Sequence, residues 1–294
     1  MAQDNTVSDS ALGADREITE EDRKKATETL LSVVGTASAE EVARLIRGGA
    51  NVNAVDSRGM TTLELAAGYS SNPDVLRVLL EKVTEMNVAD DYLENLLMVA
   101  AENNRNPEFL QILIDKGTDV NVTAKGGGTP LLFAAANNSN PEVLRILLDN
   151  GANVDPTTEH GWTPLIAAIK NNSNPKFLEI LIEKGADVNA KTSDGSTPLI
   201  LVAKDNSDPE ILRALIGKGA NVNATDDNGR TALMHAARYN SKSDGLLVLL
   251  ANDADVTIKN YWGETALDHA ETNRNLKGTA AYNLLREKTL SKTN

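Results

Sequence analysis

The chain has 294 residues and no cysteine, and its 42 acidic against 29 basic side chains give a formal charge of −13 at pH 7. A chain without cysteine has neither a disulfide framework nor thiolate metal sites. The acidic balance argues against a binder of nucleic acid or of anionic membranes, since both require clustered Lys and Arg, and no apolar run reaches the roughly 18 residues of a transmembrane helix.

Residues 1–18 are polar and acidic, match nothing that follows, and read as a flexible tail. They lack the basic-then-apolar layout of a signal peptide, so a cytoplasmic protein is expected; a leader trimmed before Ala2 would instead place it in the periplasm or outside the cell. Residues 19–55 predict a helical pair, with Thr19-x-x-Asp22 and Ser38-x-x-Glu41 as N-terminal boxes. Glu41 and Arg44 stand where a central unit carries Val143 and Ile146, which suits a solvent-facing cap.

From Asp56 onward the chain repeats every 34 residues. Thr129-Pro130-Leu131, Thr163-Pro164-Leu165 and Thr197-Pro198-Leu199 are continued by Thr231-Ala232-Leu233 and Thr265-Ala266-Leu267. Pro73, Pro107, Pro141, Pro175 and Pro209 keep the same step, as do Gly49, Gly117, Gly151, Gly185 and Gly219. Each marker has a mechanical meaning. Thr129 caps a helix whose first residue, Pro130, lacks an N–H that would be unpaired there anyway. Leu131, Ala134 and Ala135 lie on one face of that helix, and the small residue at the Ala134 position lets helices approach closely. Asn137-Asn138-Ser139-Asn140 breaks it, and Asn140 with Pro141 starts a second helix with Leu144, Leu147 and Leu148 as its stripe. Gly151 follows, where a left-handed conformation is needed.

The unit is thus turn, helix, loop, helix, extended segment, giving six repeats over 56–259 and a capping repeat over 260–294, where Glu271 replaces the second Ala. One unit is broken: Val83 stands where Gly is expected and Leu93 replaces the turn Gly. A β-branched residue suits left-handed geometry poorly, so 83–95 must take another path, as a docking edge or as drift at a tolerant site.

These residues resemble the ankyrin repeat: Gly-x-Thr-Pro-Leu, the Ala pair, and Gly-Ala-Asp-Val-Asn-Ala, in register over nearly the whole chain. The resemblance implies an all-α solenoid of stacked helix pairs with turn or β-hairpin tips, and a concave face of tips and first helices that binds protein partners. The period is 34 rather than the usual 33, with the extra residue expected in the Asn-Ser-Asn-Pro loop. The His of Thr-Pro-Leu-His is replaced by Leu132, Ile166, Ile200, Met234 or Asp268.

Catalytic constellations are missing. His235 and His269 occupy one register position and are expected as partly buried helix residues, and neither a His-Glu-x-x-His nor a Gly-x-Ser-x-Gly occurs. Ala190 stands where a phosphate loop before Lys191-Thr192 would need Gly. The expectation is a non-enzyme with no metal and no cofactor. Of ten aromatic residues, six fall on the expected binding face: Tyr92, Trp162, Tyr261 and Trp262 at tips, Tyr69 and Tyr239 on the tails of first helices. Trp162 is either an anchor for a partner or packing for the neighbouring turn. Lys170, Lys204 and Arg238 recur at one register position, with Arg230 and His160 nearby. They make either a basic column that attracts an acidic docking segment or a merely solvated stripe. The reading is a monomeric protein-binding scaffold, with an inhibitor or immunity-type protein that occludes an enzyme's active site as the alternative.

Overall fold

The computed structural model describes residues 17–84, 90–172, 174–205, 208–239 and 243–293. The first sixteen residues of the expected tail lie outside these. The chain forms two compact units, Met1–Val88 and Ala89–Asn294, divided within the segment that breaks the repeat.

The first unit holds α1 (Glu20–Val33), α2 (Ala39–Arg47), α3 (Thr62–Tyr69) and α4 (Pro73–Thr84). Thr19 and Asp22 close a full capping box on α1, and Ser38 caps α2. Packing runs α1 on α2, α2 on α4, α3 on α4 and α1 on α3, around Leu30, Val42, Leu63, Ala66, Leu76 and Leu79.

In the second unit the first helices of the repeats are α5 (Asp90–Asn103), α7 (Pro130–Asn137), α9 (Pro164–Asn171), α11 (Pro198–Lys204), α13 (Ala232–Tyr239) and α15 (Ala266–Thr272). They form one continuous row, each packed on the next. Between them come the second helices α6 (Glu108–Asp115), α8 (Glu142–Asp149), α10 (Pro175–Glu183), α12 (Pro209–Gly217), α14 (Asp244–Ala251) and α16 (Ala280–Thr293). The caps follow the sequence. The hydroxyls of Thr129, Thr163 and Thr197 accept from the N–H of Leu132, Ile166 and Ile200, with Pro in the first turn each time. The small residues of the first helices, among them Ala100, Ala134, Ala168, Ala236 and Ala270, are fully buried.

Two hydrogen-bond ladders tie repeat to repeat. In the inter-helix loop, the Asn138 side-chain amide donates to the carbonyls of Ala101 and Asn104, and that of Asn172 to Ala135 and Asn138. At the tips, the N–H of Glu159, Ser193, Asp227 and Tyr261 donates to the carbonyl of Gly126, His160, Asp194 and Asn228 in the preceding repeat. This stacking demands glycine: a Cβ on Gly161, at φ +72°, would lie 2.6 Å from the Lys191 carbonyl. Among the described residues strand character is limited to the bridges Val55–Thr61 and Thr225–Thr231, so the tips are tight turns rather than extended hairpins.

The broken unit takes another path, as its residues require. Without the helix-ending Gly, α4 runs to Thr84, and α5 begins at Asp90, six residues before the position of Pro130 in its own repeat. Tyr92, expected at a turn tip, lies instead within α5, and its side chain is outside the described set.

The glycine that ends each second helix sits near φ +90° at 117, 151, 185 and 219, but Asp253 holds this position at φ +60°. A side chain is strained there. Asp253→Gly is therefore expected to raise stability by about 0.5–1 kcal/mol, the relief exceeding the added freedom of the unfolded chain. Leu147 is fully buried, and Leu147→Ala should cost about 2–5 kcal/mol. Urea melts of the three proteins check both values.

Candidate binding surface

The tips of the last two repeats are built by one device. The Asp226 carboxylate accepts the N–H of Asn228 and of Arg230, both at 2.9 Å, and so closes the turn. Asn260 does the same for Trp262 and Glu264 at 3.0 and 2.9 Å. Both turn residues also reach the helix that follows. His235 Nε2–H donates to Asp226 at 2.8 Å, both groups being buried. The Asn260 amide donates to His269 Nε2 at 3.3 Å. A carboxylate therefore selects the Nε2–H tautomer in one repeat, and an amide donor the opposite tautomer in the next. His235 Nδ1 is left buried without a partner, and the ring stacks on Tyr239 at 5.9 Å between centroids.

Around these turns most of the expected residues come together. The Arg230 guanidinium lies 4.8 Å over the Trp262 ring, and that of Arg238 lies 5.5 Å over Tyr239. Tyr239, Tyr261 and Trp262 remain 49%, 77% and 61% exposed. Lys204 and Arg230 both act electrostatically on His235, and Arg230 and Arg238 on His269. Four of the expected residues thus stack in two Arg–aromatic pairs, Arg230 with Trp262 and Arg238 with Tyr239, and Lys204 shares their electrostatic environment.

The remaining residues stand apart. Trp162 is half-buried against Leu132, Ala136 and Ala167 of α7 and α9, which gives weight to its packing role. His160 is exposed at its tip, and its carbonyl accepts from Ser193. Lys170 is paired with Asp205 at the end of α11, so one of the three column cations is already matched within the chain. In the first unit, Tyr69 is 50% exposed beneath Arg58, whose guanidinium stands 6.0 Å over the ring. The Asp226–His235 and Arg230–Trp262 pairs were not expected from the sequence. The signal was present in part, since an Asp or Asn precedes a His by nine residues in each of the last two repeats.

Among the described residues no group of three or more His, Cys, Asp or Glu is arranged to hold a metal ion, and no helix is long and apolar enough to cross a membrane. The family model described as ankyrin repeats (3 copies) matches residues 97–192, 174–260 and 199–286, together about two thirds of the chain. A search of the curated proteins finds no match.

Burial pushes the His235 imidazole below its ordinary value, against the pull of the Asp226 carboxylate. Burial does the same at His269, against Glu264. Both are thus neutral in the fold at a pH where the unfolded chain, with imidazoles near 6.5, takes up protons. The unfolded state binds more protons, so stability falls as pH drops from above the unfolded value toward the depressed folded ones. Asp194 and Asp268, held low first by the hydroxyls of Thr192 and Thr265, act in a separate window below the ordinary carboxylate value. The melting temperature is expected to be lower at pH 5.5 than at pH 7.5. His235→Phe keeps a ring beside Tyr239 but cannot titrate, and should narrow that gap even though Asp226 loses a donor. Thermal melts at the two pH values check this.

Proposed function

The chain belongs to the ankyrin-repeat family, and on that premise we propose that it is a non-enzymatic scaffold that binds a partner protein on the tips and first helices of the last repeats. Ankyrin repeats generally serve as protein–protein interaction modules and are typically non-enzymatic. The observation that carries the reading is the cluster of exposed Arg238, Tyr239, Tyr261 and Trp262 with half-buried Arg230, on two closely packed layers. Arg, Tyr and Trp are the residue types that most often carry binding energy at protein interfaces: the rings bury large area with little loss of side-chain freedom, and the planar guanidinium adds directed hydrogen bonds and stacking. The rings stay exposed although the helices beneath them are closed by Ala236, Ala237 and Ala270. They add little to the fold and remain available to a partner.

Cations beside the rings favour an acidic docking segment, chiefly by speeding its approach. Lys204 and Arg238 serve this role better than Lys170, which Asp205 already neutralises. The chain as a monomer suffices for such a surface.

Partners captured by the purified chain should be lost to a Tyr261→Ala/Trp262→Ala variant that melts like the parent, with a cost of about 2 kcal/mol or more. Lys204→Glu/Arg238→Glu should slow association and reverse its salt dependence, read by surface plasmon resonance at two salt concentrations. Unchanged binding in both variants refutes the proposed surface. An activity assay on the captured protein then separates a scaffold from an inhibitor that occludes an enzyme's active site.

A further inference from the structure

The second helices form the other row of the unit, where α8 packs on α10 and α12 on α14. Between α10 and α12 lies a groove of about 240 Å³ with Leu178, Ile182, Ile211 and Ala214 along its floor. The repeat period gives its origin. Ala214 occupies the register position of Val78, Ile112, Ile146, Ile180 and Val248, so among the six full repeats the β-branched side chain is missing at this layer alone. Beside the vacancy, Ile211 is half-buried, although Val75, Phe109, Val143 and Phe177 at its register position are fully buried. Apolar surface that every earlier repeat closes is therefore open here.

The rim departs from the period in a second way. Glu179 is the one acidic residue at a position held by Arg77, Gln111, Arg145, Arg213 and Leu247 in the other full repeats, and with Glu183 and Glu210 it lines the groove, against the single cation Lys218. Glu179 and Glu183 lie one turn apart on α10, a spacing at which like charges repel, and among the described residues neither is paired with a cation. Glu210 is bonded to Arg213 on its own helix. The missing apolar side chain and the reversed charge fall in the same groove. An apolar floor under an acidic rim complements a basic segment that presents a bulky apolar side chain.

We propose that the groove between α10 and α12 is a second docking site, which takes a Lys/Arg-rich amphipathic segment of a partner protein and seats one of its large apolar side chains over Ala214. This site lies on the row of second helices, and its occupant has the opposite charge to the one expected at the Arg and aromatic cluster of the tips. The two surfaces could then engage two different segments at once.

The test uses the full chain and a labelled synthetic twelve-residue amphipathic peptide of Leu and Lys, followed by fluorescence anisotropy at about 0.15 M salt, where weak surface attraction is largely screened. Two control peptides exchange all Lys for Glu or all Leu for Ala. The Leu/Lys peptide is expected to bind at least tenfold more tightly than either control. Ala214→Ile restores the side chain found in other repeats and should keep or raise the melting temperature while weakening the peptide at least tenfold. Glu179→Arg, also the residue of other repeats, should weaken it with no effect on the melt. Tyr261→Ala/Trp262→Ala should leave peptide binding unchanged, so failure of the tip surface and failure of the groove are separable. No binding of the Leu/Lys peptide overturns the proposal. So does equal binding of the controls, or undiminished binding to both Ala214→Ile and Glu179→Arg.

Discussion

A single helix pair of this chain cannot bury its own apolar residues, and the fold depends on that constraint. Leu131, Ala134 and Ala135 of α7 are fully buried because α5 closes one side of the helix and α9 the other. The contact between neighbouring layers is thus the unit of stability, as expected for stacked repeats. Helices of seven to nine residues, such as α7, α9 and α11, would not persist alone in water. The small side chains of the first helices let them approach closely. The loops and tips then pair the backbone groups that the short helices leave unsatisfied.

That pairing explains the chain's asparagines. Asn121 and Asn189 each donate a side-chain amide to a glycine carbonyl of the next repeat, Gly151 and Gly219, and accept the N–H of Asn153 and Asn221 there. An amide side chain carries its donor and its acceptor on separate atoms and so makes both bonds at once, whereas a carboxylate only accepts. Asp155 occupies the same register position and can only accept, from the Asp187 N–H at 3.1 Å to both oxygens. Burial there pushes its carboxyl up from the ordinary value. The asparagines of the inter-helix loop have the same use, since Asn138 and Asn172 fasten each first helix to the one before it.

The fold was legible because its signals are local and repeated. Thr at the cap, Pro in the first turn and Gly at the left-handed position each specify backbone geometry with no knowledge of the neighbours. The broken unit was legible for the converse reason: without Gly at 83 and 93 the helices extend in place of a tip. The surface was less legible, because a side chain's availability depends on what stands one layer away. Lys170 and Lys204 look alike in sequence, yet Asp205 pairs with Lys170. Trp162 and Trp262 look alike as tip tryptophans. Trp162 sinks against Leu132, Ala136 and Ala167, whereas Trp262 stays exposed with Arg230 over its ring. Tyr92 was misplaced because the tip it was assigned to does not exist.

A repeat protein supplies its own reference state, and this gives its irregularities meaning. Positions that agree with the period report on layer packing, since every layer solves the same problem with the same residue. A position that departs has been released from that problem or given another. Arg230, Trp162, Ser196 and Glu264 share one register position, so the fold tolerates cation, ring, hydroxyl and carboxylate there, and the residue present reflects the surface rather than the core. Ala214 differs, because in the other five full repeats its position is filled by Val or Ile, and a truncated side chain leaves apolar surface open. Aspartate and asparagine alternate at the turns of the last two repeats, and the change of one side chain reverses the tautomer of the buried histidine beside it. The end of the stack that carries the Arg and aromatic cluster is therefore also where the two buried imidazoles lie, His235 stacked on Tyr239 and both histidines within the field of Arg230. Protonating either imidazole puts a charge into a buried site, a cost that the carboxylates of Asp226 and Glu264 offset only in part. Acid that loosens these layers would accordingly act first on the scaffold beneath the cluster.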